Sequence, residues 1–350
     1  MPRLTDEQRQ MRGMKAPFPY FGGKASIAPI IWQAFGDVPN LVEPFCGSAA
    51  ILLARPDRHE WWNRTETVND ADGMISNFWR AVQAAPDDVA KWADYPVFEP
   101  DLHARHSWLV ARKESLQGRI EGDPDYYDAK IAGWWLWGIC IWIGSVWCGG
   151  KGPWRSENGL LIKTAGTGQG IWRQRPHLGG AGMGINRKLP HLEGAGIGNC
   201  KAWTEHLRDM MQRLSDRLRR VRVCCGDWSR VCGPTPTTKH GITGVFLDPP
   251  YSHAERDNAL YRVEMETPSA VREWALERGD DPMYRIALCG YKDEHNMPGW
   301  TPYRWKARGG YAGHGKVNND NAMRETVWFS PHCQHSSEQA KMSMEVLCPD

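Results

Sequence analysis

An apolar run that halts at an acid and two prolines, Val245-Phe246-Leu247-Asp248-Pro249-Pro250-Tyr251, constrains this chain more than any other stretch. Apolar residues bounded by a turn signal read as a buried strand of a parallel sheet, which occurs in α/β proteins with both faces covered. Ligands of open α/β sheets bind outside the carboxyl ends of the strands, so Asp248 to Tyr251 fall where chemistry is done. Successive prolines have a fixed φ and no N–H, which leaves a stiff loop with free carbonyl acceptors. One carboxylate, exposed carbonyls and one ring suit a flat substrate that carries an amino group. The carboxylate and a carbonyl each accept an amine hydrogen while the ring stacks. Four residues alone are equally compatible with a strand-ending turn, so the reading depends on what accompanies them.

Upstream, Pro19-Tyr20-Phe21-Gly22-Gly23-Lys24 forms a loop, after which Ser26 opens a helix through Ile27, Ile30, Ile31 and Phe35 that stops at Gly36. The paired glycines let backbone approach a ligand, and Lys24 adds a cation beside it. Leu41-Val42-Glu43-Pro44-Phe45 reads as the first strand. A small-residue turn, Cys46-Gly47-Ser48-Ala49-Ala50, and a helix through Ile51, Leu52 and Leu53 follow. Strand, glycine turn, helix is the logic of a Rossmann-like nucleotide-binding half. Thr65-Glu66-Thr67-Val68-Asn69-Asp70 is a second strand, and its terminal acid is placed to accept hydrogen bonds from ribose hydroxyls. Asp72 is the second choice for that role.

Taken together and in this order, Pro19 to Lys24, Glu43-Pro44-Phe45-Cys46-Gly47-Ser48, Asn69-Asp70-Ala71-Asp72 and Asp248-Pro249-Pro250-Tyr251 resemble the Dam-like (alpha-group) DNA adenine-N6 methyltransferases. The resemblance runs from about residue 17 to 330. It implies an α/β, Rossmann-like S-adenosylmethionine-dependent fold with an inserted target-recognition region. It also implies methyl transfer to the exocyclic N6 amine of adenine in a flipped-out base of double-stranded DNA, without a metal. Cytosine-N4 methylation and a catalytically weakened DNA-binding relative are the alternatives. On this reading Asp248, Pro249, Pro250 and Tyr251 are catalytic. Tyr20, Phe21, Gly22, Gly23 and Lys24 grip the cofactor, as do Glu43, Phe45, Cys46, Gly47, Asp70, Asp227 and Asp248. The chain departs from the family at Ala49, where the pattern Phe-x-Gly-x-Gly has its second glycine. One methyl is absorbed if that residue keeps a negative φ and is costly if the turn needs a left-handed one.

Charge is unevenly distributed. The whole chain carries +2, while residues 151–230 hold 15 Lys and Arg against 6 Asp and Glu. That segment therefore carries +9 and the remainder −7, the footprint of a phosphate-contacting region. Residues 155–200 are rich in glycine and arginine and read as a flexible loop that orders on a partner. Lys151, Arg155, Arg173, Arg175, Arg187 and Lys188 are its candidate DNA contacts. Before it, residues 131–147 are tryptophan-rich and nearly uncharged. Broken by Gly133, Gly138 and Gly144 and lacking flanking cations, they predict a buried core helix rather than a membrane span. The domain expectation is a flexible arm at 1–16, a catalytic domain at 17–130 and 221–330, the core helix and target-recognition insertion at 131–220, and a disordered tail at 331–350. Ten cysteines without CxxC pairs, and no secretory signal, point to reduced thiols in a cytoplasm, and the resemblance implies that of a bacterial or phage-infected cell.

The rest reads as scaffold. Residues 74–130 are helical with turns at Ala85-Pro86 and Glu99-Pro100, and Trp203 to Leu218 follow helical spacing. Val221 to Cys225 and Ile286 to Tyr291 are further strands. Tyr303-Arg304-Trp305 and Glu325-Thr326-Val327-Trp328-Phe329 form an antiparallel edge pair.

Overall fold

A computed structural model of the protein describes residues 14–20, 22–56, 64–142, 147–149, 154–157, 160–163, 200–250, 261–292, 294–305 and 325–334. Its first elements are α1 (Ala28–Phe35), β1 (Asn40–Glu43), α2 (Ala50–Leu53), β2 (Thr65–Asp70), α3 (Gly73–Ala84) and α4 (Pro86–Ala93). Then come α5 (Glu99–Val110), α6 (Lys113–Gly122), α7 (Ala129–Ile141), β3 (Trp154–Glu157), β4 (Leu160–Lys163) and α8 (Cys200–Leu218). The last are β5 (Val221–Cys225), β6 (Thr243–Leu247), α9 (Tyr261–Arg278), β7 (Tyr284–Tyr291), β8 (Thr301–Arg304) and β9 (Glu325–Phe329). The chain divides into two compact units, one of residues 1–15, 21–70 and 227–350, the other of residues 16–20 and 71–226.

In the first unit six strands form a sheet in the order β2-β1-β6-β7-β9-β8, and β5 belongs to the second unit. β1 pairs in parallel with both β2 and β6, and β6 in parallel with β7. β9 runs antiparallel to β7 and β8. This is the Rossmann-like α/β architecture expected from the resemblance. Every residue of β1 and of β6 is buried, as an apolar strand covered on both faces must be. Gly244 makes that packing possible: a methyl there would lie 2.9 Å from the Phe35 ring of α1. Because the chain goes from β1 to β2 on one side and β6 flanks β1 on the other, the strand order reverses at β1. Such a switch point opens a crevice at the carboxyl ends of the strands, and those of β1, β2 and β6 carry Glu43, Asp70 and Asp248.

In the second unit, α3 and α7 are capped by acids. Asp72 accepts from the Met74 N–H and Asp128 from the Ile131 N–H. The first part of the Trp-rich segment is a buried helix, α7, with Trp135, Trp137 and Leu136 in the core, and the helix ends at Ile141 rather than running on to Trp147. Phe18, Phe78, Trp79 and Trp135 pack around one another at centroid distances of 4.9–5.9 Å, which anchors the 16–20 segment in this unit. No helix among the described residues is long and apolar enough to cross a membrane.

Two expectations need correction. The start of the glycine- and arginine-rich segment is not loop throughout, because Trp154–Glu157 and Leu160–Lys163 form an antiparallel hairpin. The sequence signal for it is Asn158-Gly159, a dipeptide suited to the positive φ angles of a two-residue hairpin turn. Nor is the tail expected at 331–350 disordered from its start. The Gln334 N–H donates to the Ala34 carbonyl at 2.7 Å and Cys333 is buried, so residues 331–334 are held against α1. The rest of the tail, residues 1–13, and residues 164–199 of the insertion lie outside the described residues.

Candidate active site at the sheet switch point

Lys24 is the centre of the site. Its carbonyl accepts from the N–H groups of Ile27 and Ala28, both at 3.1 Å, which fixes the glycine loop to the start of α1. Its side chain is only 4% exposed and points to the end of β6. There Nζ lies 3.0 Å from Asp248 Oδ1 and 3.8 Å from Glu325 Oε2, and it donates to the Gly22 carbonyl at 2.8 Å. The Trp305 ring sits 6.0 Å from the same nitrogen. Gly22 is in the left-handed region at φ 73°, the conformation that turns its carbonyl to the ammonium. Burial disfavours the charged lysine, but Asp248, then Cys289 and Glu325, outweigh it, and its pKa rises above the ordinary value. Burial pushes the Glu325 carboxyl up; Lys24 opposes that rise and Asp248 adds to it.

Glu325 reaches this place through sheet topology. It is paired with Tyr291 at the start of an antiparallel β9, so it shares the edge at which β6 and β7 end. Reading the chain as a sequence missed it, because an acid opening an edge strand is an ordinary solvated residue until the register is known.

The glycine turn after β1 forms a second cluster in the same unit. Asp70 Oδ2 accepts from the Gly47 N–H at 2.9 Å, and the Cys46 N–H donates to the Asn69 carbonyl at 2.9 Å. Asn69 Nδ2 donates to the Pro44 carbonyl at 3.0 Å, so the ends of β1 and β2 are bonded to each other. Glu43 is buried, and its carboxylate accepts from the N–H groups of Ile51 and Leu52 at 3.4 and 3.1 Å. It thereby caps the short helix α2, whose macrodipole favours a negative charge there. Ala49 adopts φ 50°, ψ 38°, so the residue that replaces the expected glycine is left-handed and carries the costly outcome of the two anticipated. Phe45 stacks on Trp228 at 6.2 Å and 28°, both rings half-buried, and Asp227 is exposed beside them, accepting from the Ser229 N–H and hydroxyl. Trp228 was not singled out from the sequence, although it directly follows Gly226-Asp227 at the end of β5.

Of the remaining expected site residues, Pro249 is buried and Pro250 exposed. Gly22 and Gly23 are exposed, and Tyr20 is 39% exposed within the second unit. Phe21, Tyr251, Lys151, Arg173, Arg175, Arg187 and Lys188 lie outside the described residues; Arg155 is described only as backbone of β3. Asp72 takes a structural part, capping α3 and pairing with Lys113 at 3.3 Å.

Residues 20–117 match the family model of the D12 class N6 adenine-specific DNA methyltransferases. The chain is accordingly a DNA adenine methyltransferase whose methyl donor is S-adenosylmethionine. The matched span is 98 of 350 residues and includes the Lys24 loop, the glycine turn and Asp70, while Asp248 lies beyond it. No curated protein sequence matched the chain.

The residues of the methyltransferase's first unit suit that donor. A carboxylate at the end of β2 is suited to hydroxyls, and a pair of half-buried rings to a purine. The Asp248 and Glu325 carboxylates at the strand ends are suited to a sulfonium.

Proposed function

We propose that the methyltransferase acts on an adenine rotated out of duplex DNA, and that Asp248 and the Pro249 carbonyl accept the two hydrogens of its N6 amine. The observation that supports this most directly is the Lys24–Asp248 ion pair, 3.0 Å long, at the end of β6 beside the switch point. An amino nitrogen conjugated with a purine ring is a poor nucleophile because its lone pair is delocalised. Two acceptors held in fixed directions favour a more tetrahedral nitrogen, which is catalysis by preorganised electrostatics and positioning. Lys24, itself held by Gly22 and Glu325, keeps the Asp248 carboxylate from rotating away. Tyr251 stacks on the extruded base. The bound donor supplies an electrophilic methyl group, and Asp70, Gly47, Phe45, Trp228 and Asp227 are the residues that would hold its nucleoside part.

Residues 131–220 supply a core helix and the target-recognition insertion in this reading, with Lys151, Arg155, Arg173, Arg175, Arg187 and Lys188 on the phosphates. The proposed setting is the cytoplasm of a bacterial or phage-infected cell. Asp248→Asn removes the charge and keeps the shape, so it should abolish methyl incorporation into DNA while the unfolding midpoint stays cooperative. Undiminished N6-methyladenine in DNA treated with this variant refutes the assignment.

A further inference from the structure

We propose that Trp274 of α9 is a positioning residue for the methyl-donor site, holding the Trp228 ring in the orientation that receives the donor's purine. The inference rests on the proposed placement of the nucleoside part at Phe45 and Trp228, and it adds a residue outside every motif that defines the site.

Trp228 opens a single 3₁₀ turn, Trp228–Val231, and its ring is half-buried. So short a turn sets the backbone but does not by itself choose among the staggered rotamers of an indole. Among the described residues two rings meet it, both from the first unit. Phe45, after β1, lies at 6.2 Å and 28°, and Trp274 at 6.2 Å and 87°. The first contact is stacked and the second edge-to-face, and both distances fall in the range where aromatic pairs attract. A stacked neighbour limits the tilt of a ring but lets it slide across the shared face. An edge-to-face neighbour opposes that slide.

Trp274 can act as a stop because it is held in turn. Tyr284, at the start of β7, meets it at 5.9 Å and 88°. Arg278, one turn further along α9, places its guanidinium 4.9 Å from the Trp274 ring and donates to the Trp274 carbonyl at 3.4 Å. Tyr284 is itself buried, with its hydroxyl 2.9 Å from Thr237 Oγ1. The Thr237 hydroxyl gives its only hydrogen to the Gly233 carbonyl at 2.6 Å, so the tyrosine is the donor to Thr237. A row of rings, Phe45, Trp228, Trp274 and Tyr284, thus ends in a buried hydrogen-bonded anchor. Order imposed at the anchored end reaches Trp228 through two perpendicular contacts, and a ring ordered beforehand need not be immobilised when the ligand binds.

The test is a double-mutant cycle on the full chain, with calorimetric titration of S-adenosylhomocysteine as the binding probe and turnover on DNA as a second readout. Trp274→Leu is expected to weaken binding about three- to tenfold, the size of one lost ring contact. It should raise the apparent KM for S-adenosylmethionine by the same factor, with kcat at saturating donor within about twofold of the wild type. Trp274→Phe keeps an aromatic edge and is expected to bind within about twofold of the wild type. In a Trp228→Leu background, itself weakened, Trp274→Leu should add less than about twofold, because the ring through which it acts is gone. Trp274→Met, which refills more of the space, serves the same comparisons where Trp274→Leu is not stably folded. Undiminished binding by Trp274→Leu, an effect of equal size with and without Trp228, or a fall in kcat at unchanged KM overturns the proposal. Undiminished binding by Trp228→Leu alone would remove the nucleoside contact and with it both readings, so the two failures give different results.

Discussion

Replacing Lys24 by Met isolates the electrostatic role of the lysine, because the thioether side chain retains most of the buried stem and removes only the ammonium. At an effective dielectric near 20, attractions over 3.0 and 3.8 Å amount to about 5 and 4 kcal/mol before desolvation is subtracted. Desolvation of a cation that is 4% exposed cancels most of that gain, so the intact cluster contributes little net stability. The variant differs, since it leaves two carboxylates facing each other without the cation. Breaking a buried pair in this way costs about 3–5 kcal/mol. The residual exposure of Asp248 and Glu325 puts the expected loss at the lower end, about 3 kcal/mol. The pH dependence has a defined sign. Lys24 has a folded pKa above its ordinary 10.5, so its contribution is complete at neutral pH and is lost only as pH rises through the folded value. Glu325, whose carboxyl is already raised above 4.5, rises further without Lys24, so the defect of the variant shrinks in acid as that carboxyl protonates. Urea unfolding followed by tryptophan fluorescence at pH 7.5 measures the loss. The triple variant Lys24→Met/Asp248→Asn/Glu325→Gln, which removes both carboxylate charges with the ammonium, should recover to within about 1 kcal/mol of the wild type. A single-variant loss under about 1 kcal/mol, or a triple variant no better than the single, refutes the reasoning.

Two further outcomes follow from other residues. Ala49 is left-handed and fully buried, so Ala49→Val, which adds a β-branch where φ is 50°, should lower the unfolding free energy measured in urea by about 2–3 kcal/mol. Ala49→Gly should be nearly neutral, since relief of about 1–2 kcal/mol of strain is offset by the lost methyl and by the extra freedom of glycine in the unfolded chain. A valine variant as stable as the wild type would mean that the turn is not left-handed. His106 is buried, its ring stacked on Trp142 at 4.7 Å and 12°, and burial, with His103 adding to it, lowers its pKa from 6.5 to about 4. A folded pKa below the unfolded one gives stability that is present above pH 6.5 and lost as pH falls towards 4, by at most about 3 kcal/mol. His106→Phe should flatten that part of the pH–stability curve relative to the wild type, and parallel curves would show that the imidazole is not responsible.

Much of this protein was legible in the chain as written. Central strands such as β6 are short apolar runs with turn signals at their ends, and that local signature survives any packing. Thr65–Asp70 and Val221–Cys225 begin and end as the sequence indicates, and α7 is the buried helix its glycines and missing cations predicted. The proposal of Asp248, Lys24 and Asp70 as site residues starts from motifs whose chemistry is carried by a few adjacent residues. Such signals require no knowledge of distant contacts.

Other features depend on which residues, far apart in the chain, become neighbours. Glu325 acquires its place only because β9 runs antiparallel to β7 and brings its first residue to the edge where the parallel strands end. The left-handed turn at Ala49 is imposed by the junction of β1 and α2, where Asp70 holds the Gly47 amide and Glu43 holds the amides of α2. Hydrophobic pattern and turn chemistry act within a few residues and are written in the sequence, so it determined the strands, the helices and the identity of the chemical groups. Electrostatic pairing and backbone strain act through space, and only the tertiary structure decided that a lysine near the start, an acid after β6 and an acid near the end share one charge balance.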